Sequence, residues 1–291
     1  MSEYIQYYLI LSVIKFFAYL PSKLYQFIAD FVLSVFKPAF KKDLKKIAVN
    51  TKAIFGLESH SNFVKVFQKQ VMIHQIVSNL EIIKGLANPR AKLTVLDIDV
   101  LKKNLESVDN ENGIICITGH IGSWELCAKS VADASNQTFY ALAKPPKNKA
   151  IVRLLAYLRN NMATELLWTD RKDLFKAMKR VLDNQNCLGF VMDQKPGKRN
   201  GVQVDFLGME TEYVSGPSKF AILKDAPVIS VFCVREGPMR YRVVSNVLLN
   251  KGHGIESEQE VTQIMASEIE RVIKLYPEQW VWNYKRWKIS Y

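Results

Sequence analysis

The sequence predicts an α/β fold with a mostly parallel central sheet, helices on both of its faces, and an apolar helical membrane anchor in front of it. Three observations carry that expectation. From about residue 110 short β-branched runs alternate with stretches of helical period, the first forty residues are almost continuously apolar, and a basic cluster follows them directly. A chain of 291 residues with 48% hydrophobic and 23% charged residues is long enough for one large domain or two ordinary ones, which excludes a disordered or fibrous protein. The expected organisation is an anchor over residues 1–40 and a main domain over 41–291.

The stretch Tyr4 to Leu20 contains one charge, Lys15, and a second apolar run, Leu24 to Phe40, follows Pro21-Ser22-Lys23. A spanning helix needs about 20 apolar residues, so the first run is at the short end, with Tyr4, Tyr7 and Tyr8 suited to headgroup level. The start Met-Ser-Glu-Tyr and the following Pro-Ser-Lys do not fit a cleaved leader, so the segment is expected to stay. A buried helical hairpin is the alternative. Lys37, Lys41, Lys42, Lys45 and Lys46 favour attachment to an anionic cytoplasmic leaflet, each cation contributing about 1 kcal/mol near the surface. The whole chain has a formal charge of +12, which favours acidic partners. Cys116, Cys127, Cys187 and Cys233 are widely spaced and mostly within apolar runs, as buried thiols in a reducing compartment would be.

In the main domain, Asp43–Leu86 has helical periodicity and is expected to pack on the sheet. Gly113–Thr118, Thr138–Leu142, Leu188–Met192 and Val228–Val234 are predicted strands. Trp124–Ala134, Asn148–Met162, Leu174–Asn184 and Gly216–Lys224 are predicted helices between them, the pattern of a parallel sheet with crossover helices.

The junction Thr118-Gly119-His120-Ile121-Gly122-Ser123-Trp124-Glu125 closes a buried strand and opens a helix, at the strand end where open α/β sheets place ligands. On one continuous helix His120 and Glu125 would stand about 140° apart. With the chain broken at Gly119 and Gly122, His120 can sit on the loop and Glu125 in the first helical turn, as a base and the carboxylate that orients it. A loop histidine beside a helix-start glutamate with no joint role fits the spacing equally. Ser123 reads as a helix cap and Cys127 as a core thiol, so no enzyme nucleophile is placed for the base. The hydroxyl to be deprotonated would then belong to a substrate, which points to direct acyl transfer. His60, His74 and His253 lack a ligand or carboxylate spacing and read as structural.

This setting resembles the late acyltransferases of lipid A biosynthesis, which carry a His-x4-Glu/Asp motif in a Gly-His-x-Gly-x-Trp-Glu context. The resemblance continues through Arg159, Asp193-Gln194 in LGFVMDQKPG, Ser215-Gly216-Pro217-Ser218-Lys219-Phe220-Ala221, and the Trp-rich basic end from Pro277 to Lys288. One departure is Lys144-Pro145, where members commonly have Arg-Pro; the charge is kept and the forked donor is lost. The resemblance implies an acyl carrier protein thioester as donor, a hydroxyl of an anionic lipid A precursor as acceptor, and neither metal nor bound cofactor. It also implies a place on the bacterial inner membrane with the catalytic domain on the cytoplasmic side. His120 and Glu125 would be catalytic, and Arg159, otherwise a solvated helix charge, and Lys144 would meet phosphate or oxyanion. Asp193 and Gln194 would shape the site, an ordinary turn before Lys-Pro-Gly fitting them nearly as well. Lys147, Lys149, Lys195, Lys198 and Arg199, in or beside loops near the predicted site, fit a docking or headgroup surface and ordinary solubilising charge equally well. Trp280, Trp282 and Trp287 fit a lipid interface or buried packing equally well.

A second reading keeps the chemistry and changes the acceptor to another glycolipid, a glycerolipid or an amino-acid lipid. A basic membrane-surface or nucleic-acid-binding protein without chemistry is the third, and no helix-turn-helix, zinc or RNP-like pattern supports nucleic acid.

Overall fold

The computed structural model describes residues 3–58, 61–159, 164–197 and 201–291. Four helices come first: α1 (Glu3–Tyr19), α2 (Tyr25–Val35), α3 (Lys37–Phe55) and α4 (Asn62–Ala87). The sheet-building part follows as β1 (Thr94–Leu96), α5 (Ile98–Ser107), β2 (Ile114–Thr118), α6 (Trp124–Ala134), β3 (Phe139–Ala143), α7 (Lys149–Arg159), β4 (Thr164–Trp168), α8 (Leu174–Asp183) and β5 (Cys187–Val191). A hairpin of β6 (Val202–Phe206) and β7 (Met209–Tyr213) comes next. Then come α9 (Gly216–Lys224), β8 (Val228–Gly237), β9 (Arg240–Leu249) and α10 (Glu258–Leu275).

Seven strands form one sheet in the order β1-β9-β8-β2-β5-β3-β4, parallel throughout except where β9 runs against β8. All five residues of β2 are buried because both faces are covered. Ile114 and Cys116 face a core shared with Leu101 and Leu105 of α5 and Leu126 and Val131 of α6. Ile115 and Ile117 face the opposite core, built with α8, α9 and α10.

The four predicted strands and four predicted helices of the main domain are all present, with the described ends shifted by three residues or fewer; the predicted end of one helix, Met162, lies outside the described residues. The antiparallel additions were not foreseen. The β6–β7 hairpin turns at Leu207 (φ 55°) and Gly208 (φ 75°), a two-residue turn with both residues left-handed, whose twist matches that of the strands. In β9 charged and polar residues interrupt the apolar pattern, and β1 has only three residues.

The amino-terminal helices do not form one long span. Among the described residues no single helix is long and apolar enough to cross a membrane; α1 and Ser22–Val35 meet that test together, bent by 99°. The bend is fastened to α4: Lys84 Nζ donates to the Ala18 and Leu20 carbonyls at 2.8 Å each, and Asn88 Nδ2 donates to Ala18 O at 3.0 Å. These donors satisfy carbonyls that the end of α1 leaves open. Tyr7, Leu11 and Ala18 are buried, while Ile5, Leu9, Val13, Phe16, Phe27 and Phe31 are exposed. The expected boundary at residue 40 falls inside α3, which runs on to Phe55.

The loop after β2 is locked to β8 and to the carboxyl-terminal segment. Ser123 N donates to Cys233 O at 2.8 Å, Gly122 N to Gln279 O at 3.1 Å, and Val281 N to His120 O at 3.1 Å. Gly122 has φ 59°, and a Cβ there would stand 2.1 Å from the Cys233 carbonyl oxygen. Backbone strain and backbone collision therefore act together, and Gly122→Ala is expected to cost at least about 2 kcal/mol. Urea unfolding of the variant checks this, with loss of the folded state altogether as the stronger form of the same outcome.

Candidate active site

β2 and β5 are paired with Thr118 opposite Val191, and the ladder extends one step further through Met192 N to Thr118 O at 3.0 Å. Two residues beyond that register point stand His120 and Asp193, one on each strand end, and they meet. His120 Nδ1 lies 2.6 Å from Asp193 Oδ1, and the backbone amide of His120 donates to Oδ2 at 2.8 Å. Trp280 Nε1 donates to the same Oδ2 at 2.7 Å. Gly119 allows the approach, since a Cβ there would lie 3.1 Å from Oδ2. On the other side of the ring, Gln194 Nε2 stands 3.2 Å from His120 Nε2. The ring edge also packs against Trp124, centroid to centroid 4.9 Å.

This network assigns the tautomer. An ionised Asp193 accepts from Nδ1–H, which leaves the Nε2 lone pair to accept from the Gln194 amide. Burial is the largest single influence on His120 and lowers its pKa, but the charge and hydrogen bond of Asp193 together outweigh it and the net shift is upward. For Asp193, burial raises the pKa most, and the attraction of His120 with the hydrogen bonds from its ring, from Trp280 and from the His120 amide holds the carboxyl below its ordinary range. The pair is therefore a carboxylate steadying an imidazole whose free nitrogen can take a proton.

His120 and Gln194 both line a cavity of about 480 Å³. Its polar end carries His120, Trp124, Glu125, Lys144, Gln194 and Lys195. Its deeper wall is made by β-strand and α6 residues, among them Cys116, Ala128, Val131, Phe139, Ala141 and Gly189. Cys116 and Cys127 touch this space, but neither is activated. The Cys187 hydrogen bond and burial push the Cys116 thiol well up, and burial does the same to Cys127. All four cysteines are free and buried, and Ser123 caps α6 by accepting from Leu126 N at 3.3 Å.

The predicted site residues are brought together in part, with one change of role. Glu125 stands in the first turn of α6 on the cavity wall, as expected, but the carboxylate on Nδ1 is that of Asp193. The strand register delivers Asp193 to the ring, whereas Glu125 belongs to a helix that starts four residues after His120. Gln194 and Lys144 line the same cavity. Arg159 ends α7, and its side chain lies outside the described residues, as do Lys198, Arg199 and His60. Lys147 and Lys149 are exposed, and Lys195 donates to Trp287 O at 3.0 Å. His74 is buried on α4, its pKa lowered to about 4 by burial first and the Arg235 charge second. Among the described residues no group of three or more His, Cys, Asp or Glu side chains is placed to hold a metal ion.

Trp280 is the residue sequence reasoning missed as part of the site. Trp280, Trp282 and Trp287 are at most 2% exposed, so buried packing, not a lipid interface, accounts for them. Arg286 is sealed among the same aromatics, its guanidinium carbon 4.4 Å from the Tyr213 ring centroid. The Trp-rich run was the one available signal, and it carried no indication of which indole reaches Asp193.

Among the described residues, the site is a strand-end histidine–carboxylate pair beside an apolar-walled cavity whose two lining cysteines are not activated. The sequence profile of the bacterial lipid A biosynthesis acyltransferases matches residues 1–289, and the chain belongs to that family. It is similar to a phosphatidylinositol mannoside acyltransferase of Mycolicibacterium smegmatis, 27% identical over 201 residues covering 67% of this chain and 62% of that protein. A phosphatidylinositol mannoside acyltransferase of Mycobacterium tuberculosis is 23% identical over 178 residues, 60% of this chain and 54% of its own length. The matches thus span less than two thirds of these relatives' own lengths. The family and both relatives carry the name acyltransferase, the class that the sequence led us to expect.

The electrostatics of the pair yield a prediction with a clear sign. In the wild type the His120 titration lies above the ordinary 6.5, so the neutral base is lost as pH falls through that raised value. Asp193→Asn removes the attraction and leaves burial dominant, so the titration should fall below 6.5. An NMR titration of the His120 ring protons in both proteins measures this directly. A plateau activity reduced about 10²-fold or more should accompany the downward-moved acid limb.

Proposed function

We propose that this protein transfers a fatty acyl chain from an acyl carrier protein thioester to a hydroxyl of a phosphate-bearing glycolipid, the first candidate being a lipid A precursor. The observation that supports it most is the His120–Asp193 pair at the wall of a cavity with a cationic rim and an apolar interior. His120 Nε2 takes the proton of the acceptor hydroxyl as its oxygen attacks the thioester carbonyl. Collapse of the tetrahedral intermediate breaks the carbon–sulfur bond, and the imidazolium returns the proton to the departing carrier thiolate. Asp193 stabilises the imidazolium throughout. The Gln194 amide, displaced from Nε2 by the acceptor, stays close enough to donate to the oxyanion, and Lys144 supplies positive charge at the rim. No cofactor is needed for this exchange.

The relatives named for phosphatidylinositol mannoside favour a second reading in which the acceptor is a mannosylated phosphoinositide. Purified protein given acyl-loaded carrier protein and a panel of both acceptor classes separates the two. His120→Ala should lower transfer by about 10²–10⁴-fold with folding intact. Undiminished transfer by that variant would contradict the proposal, and the acceptor that turns over selects the reading.

The proposal places the protein on the inner membrane, with its catalytic domain facing the cytoplasm. Support comes from the exposed Ile5, Leu9, Val13, Phe16, Phe27 and Phe31 on the side of α1 and α2 away from the body, and from the lysines of α3. Vesicles containing anionic lipid should bind the protein more tightly than neutral ones. Replacing Lys41, Lys42 and Lys45 together by Glu should abolish that difference in a sedimentation assay.

A further inference from the structure

The cavity beside His120 runs down one face of the sheet, and the strand register fixes what lines it. Cys116, Gly189 and Ala141 are neighbours across β2, β5 and β3, so three small side chains form one row and open a trough beneath α6. The next row down is Ile114, Cys187 and Phe139. Thr118 at the mouth is two residues along β2 from Cys116, about 7 Å at a rise of about 3.3 Å per residue. Phe139 does not stay in its own row. A Cβ on Gly189 would lie 2.2 Å from Phe139 Cζ, so the phenyl ring lies over the vacant position of residue 189, across the trough. The ring is 5% exposed and also belongs to the core shared with α6.

We propose that Phe139 is the floor of the acyl-chain site and sets the longest chain the protein accepts. The inference rests on the proposed acyl transfer and adds to it the residue that determines chain-length specificity. An apolar chain entering past His120 with its carbonyl at the polar end runs down to the small-residue row and ends against the ring that covers Gly189 there. One methylene too many must displace a buried aromatic side chain that belongs to the core shared with α6, which a close-packed interior resists. Shortening residue 139 therefore lengthens the site without touching the groups that handle the proton.

The test compares wild type, Phe139→Ala and the milder Phe139→Leu in two measurements. Thermal stabilisation by saturated fatty acids, decanoate through octadecanoate, reports chain binding without any chemistry. Competition between carrier-bound donors of the same lengths reports transfer. The wild type should show an optimum length, and both variants should move it upward. The preference for a chain two carbons beyond the wild-type optimum should rise by about tenfold or more in Phe139→Ala and by less in Phe139→Leu. An unmoved optimum in a variant with wild-type near-UV circular dichroism would overturn the proposal. So would a wild type that no fatty acid stabilises. A shifted binding optimum without transfer to any acceptor would leave Phe139 as the floor and defeat the proposed reaction instead.

Discussion

Asp193 is a carboxylate 2% exposed to solvent, and its placement organises the molecule around it. An ionised carboxylate removed from water costs several kcal/mol unless its oxygens are fully engaged. Here Oδ1 faces the imidazole and Oδ2 accepts from the His120 amide and the Trp280 indole. Those three donors come from two separate parts of the chain, the β2 loop and the carboxyl-terminal segment. The ring is thus oriented by the same contacts that close the fold, and its other nitrogen is left to Gln194, a residue of the cavity wall. Removing a donor would leave charge unpaired in the interior, so the geometry of the site and the stability of this end of the sheet are coupled.

The carboxyl-terminal segment shows how that coupling is built. Trp280 packs edge to face on Trp282, on Trp287 and on Phe206 of the β6–β7 hairpin, and Trp287 stacks on Phe206. Arg286 is buried among them without a carboxylate partner among the described residues, its charge set against the Tyr213 and Phe206 rings and one hydrogen bond to Glu212 O. Val281 N and Gly122 N then tie this aromatic block to the loop bearing His120. At the other end of the chain, α1 packs on α4 and α7 by its buried side, which leaves the apolar side of the amino-terminal helices exposed.

Much of this was legible in the sequence where local physics dominates. The buried run ending at Thr118, the two glycines and the cap at Ser123 placed His120 at a strand end and α6 at its observed start. Asp193-Gln194 could be placed at the same edge, because it too follows an apolar strand. What local physics does not carry is pairing. His120 and Asp193 are 73 residues apart, and their meeting depends on β2 lying beside β5 in one register, a property of the whole sheet. Glu125 was the nearer carboxylate in sequence and so took the orienting role in the sequence reading. The same limit hid Trp280, whose contact spans 87 residues, and the small-residue row, whose members sit on three different strands. The hairpin β6–β7 was missed for a simpler reason: its alternation is short and its turn, Leu207-Gly208, is an uncommon pair for left-handed residues.

The account turns on which nitrogen of His120 carries the proton. A long-range ¹H–¹⁵N correlation spectrum of the neutral protein, with His120 assigned by its loss in a variant, reads the tautomer directly. Protonation at Nδ1, with a strongly low-field proton shared with Asp193 and an unprotonated Nε2, is the expected result. A neutral ring protonated at Nε2 would mean that the free nitrogen is not turned toward the cavity as a base, and the account would fail.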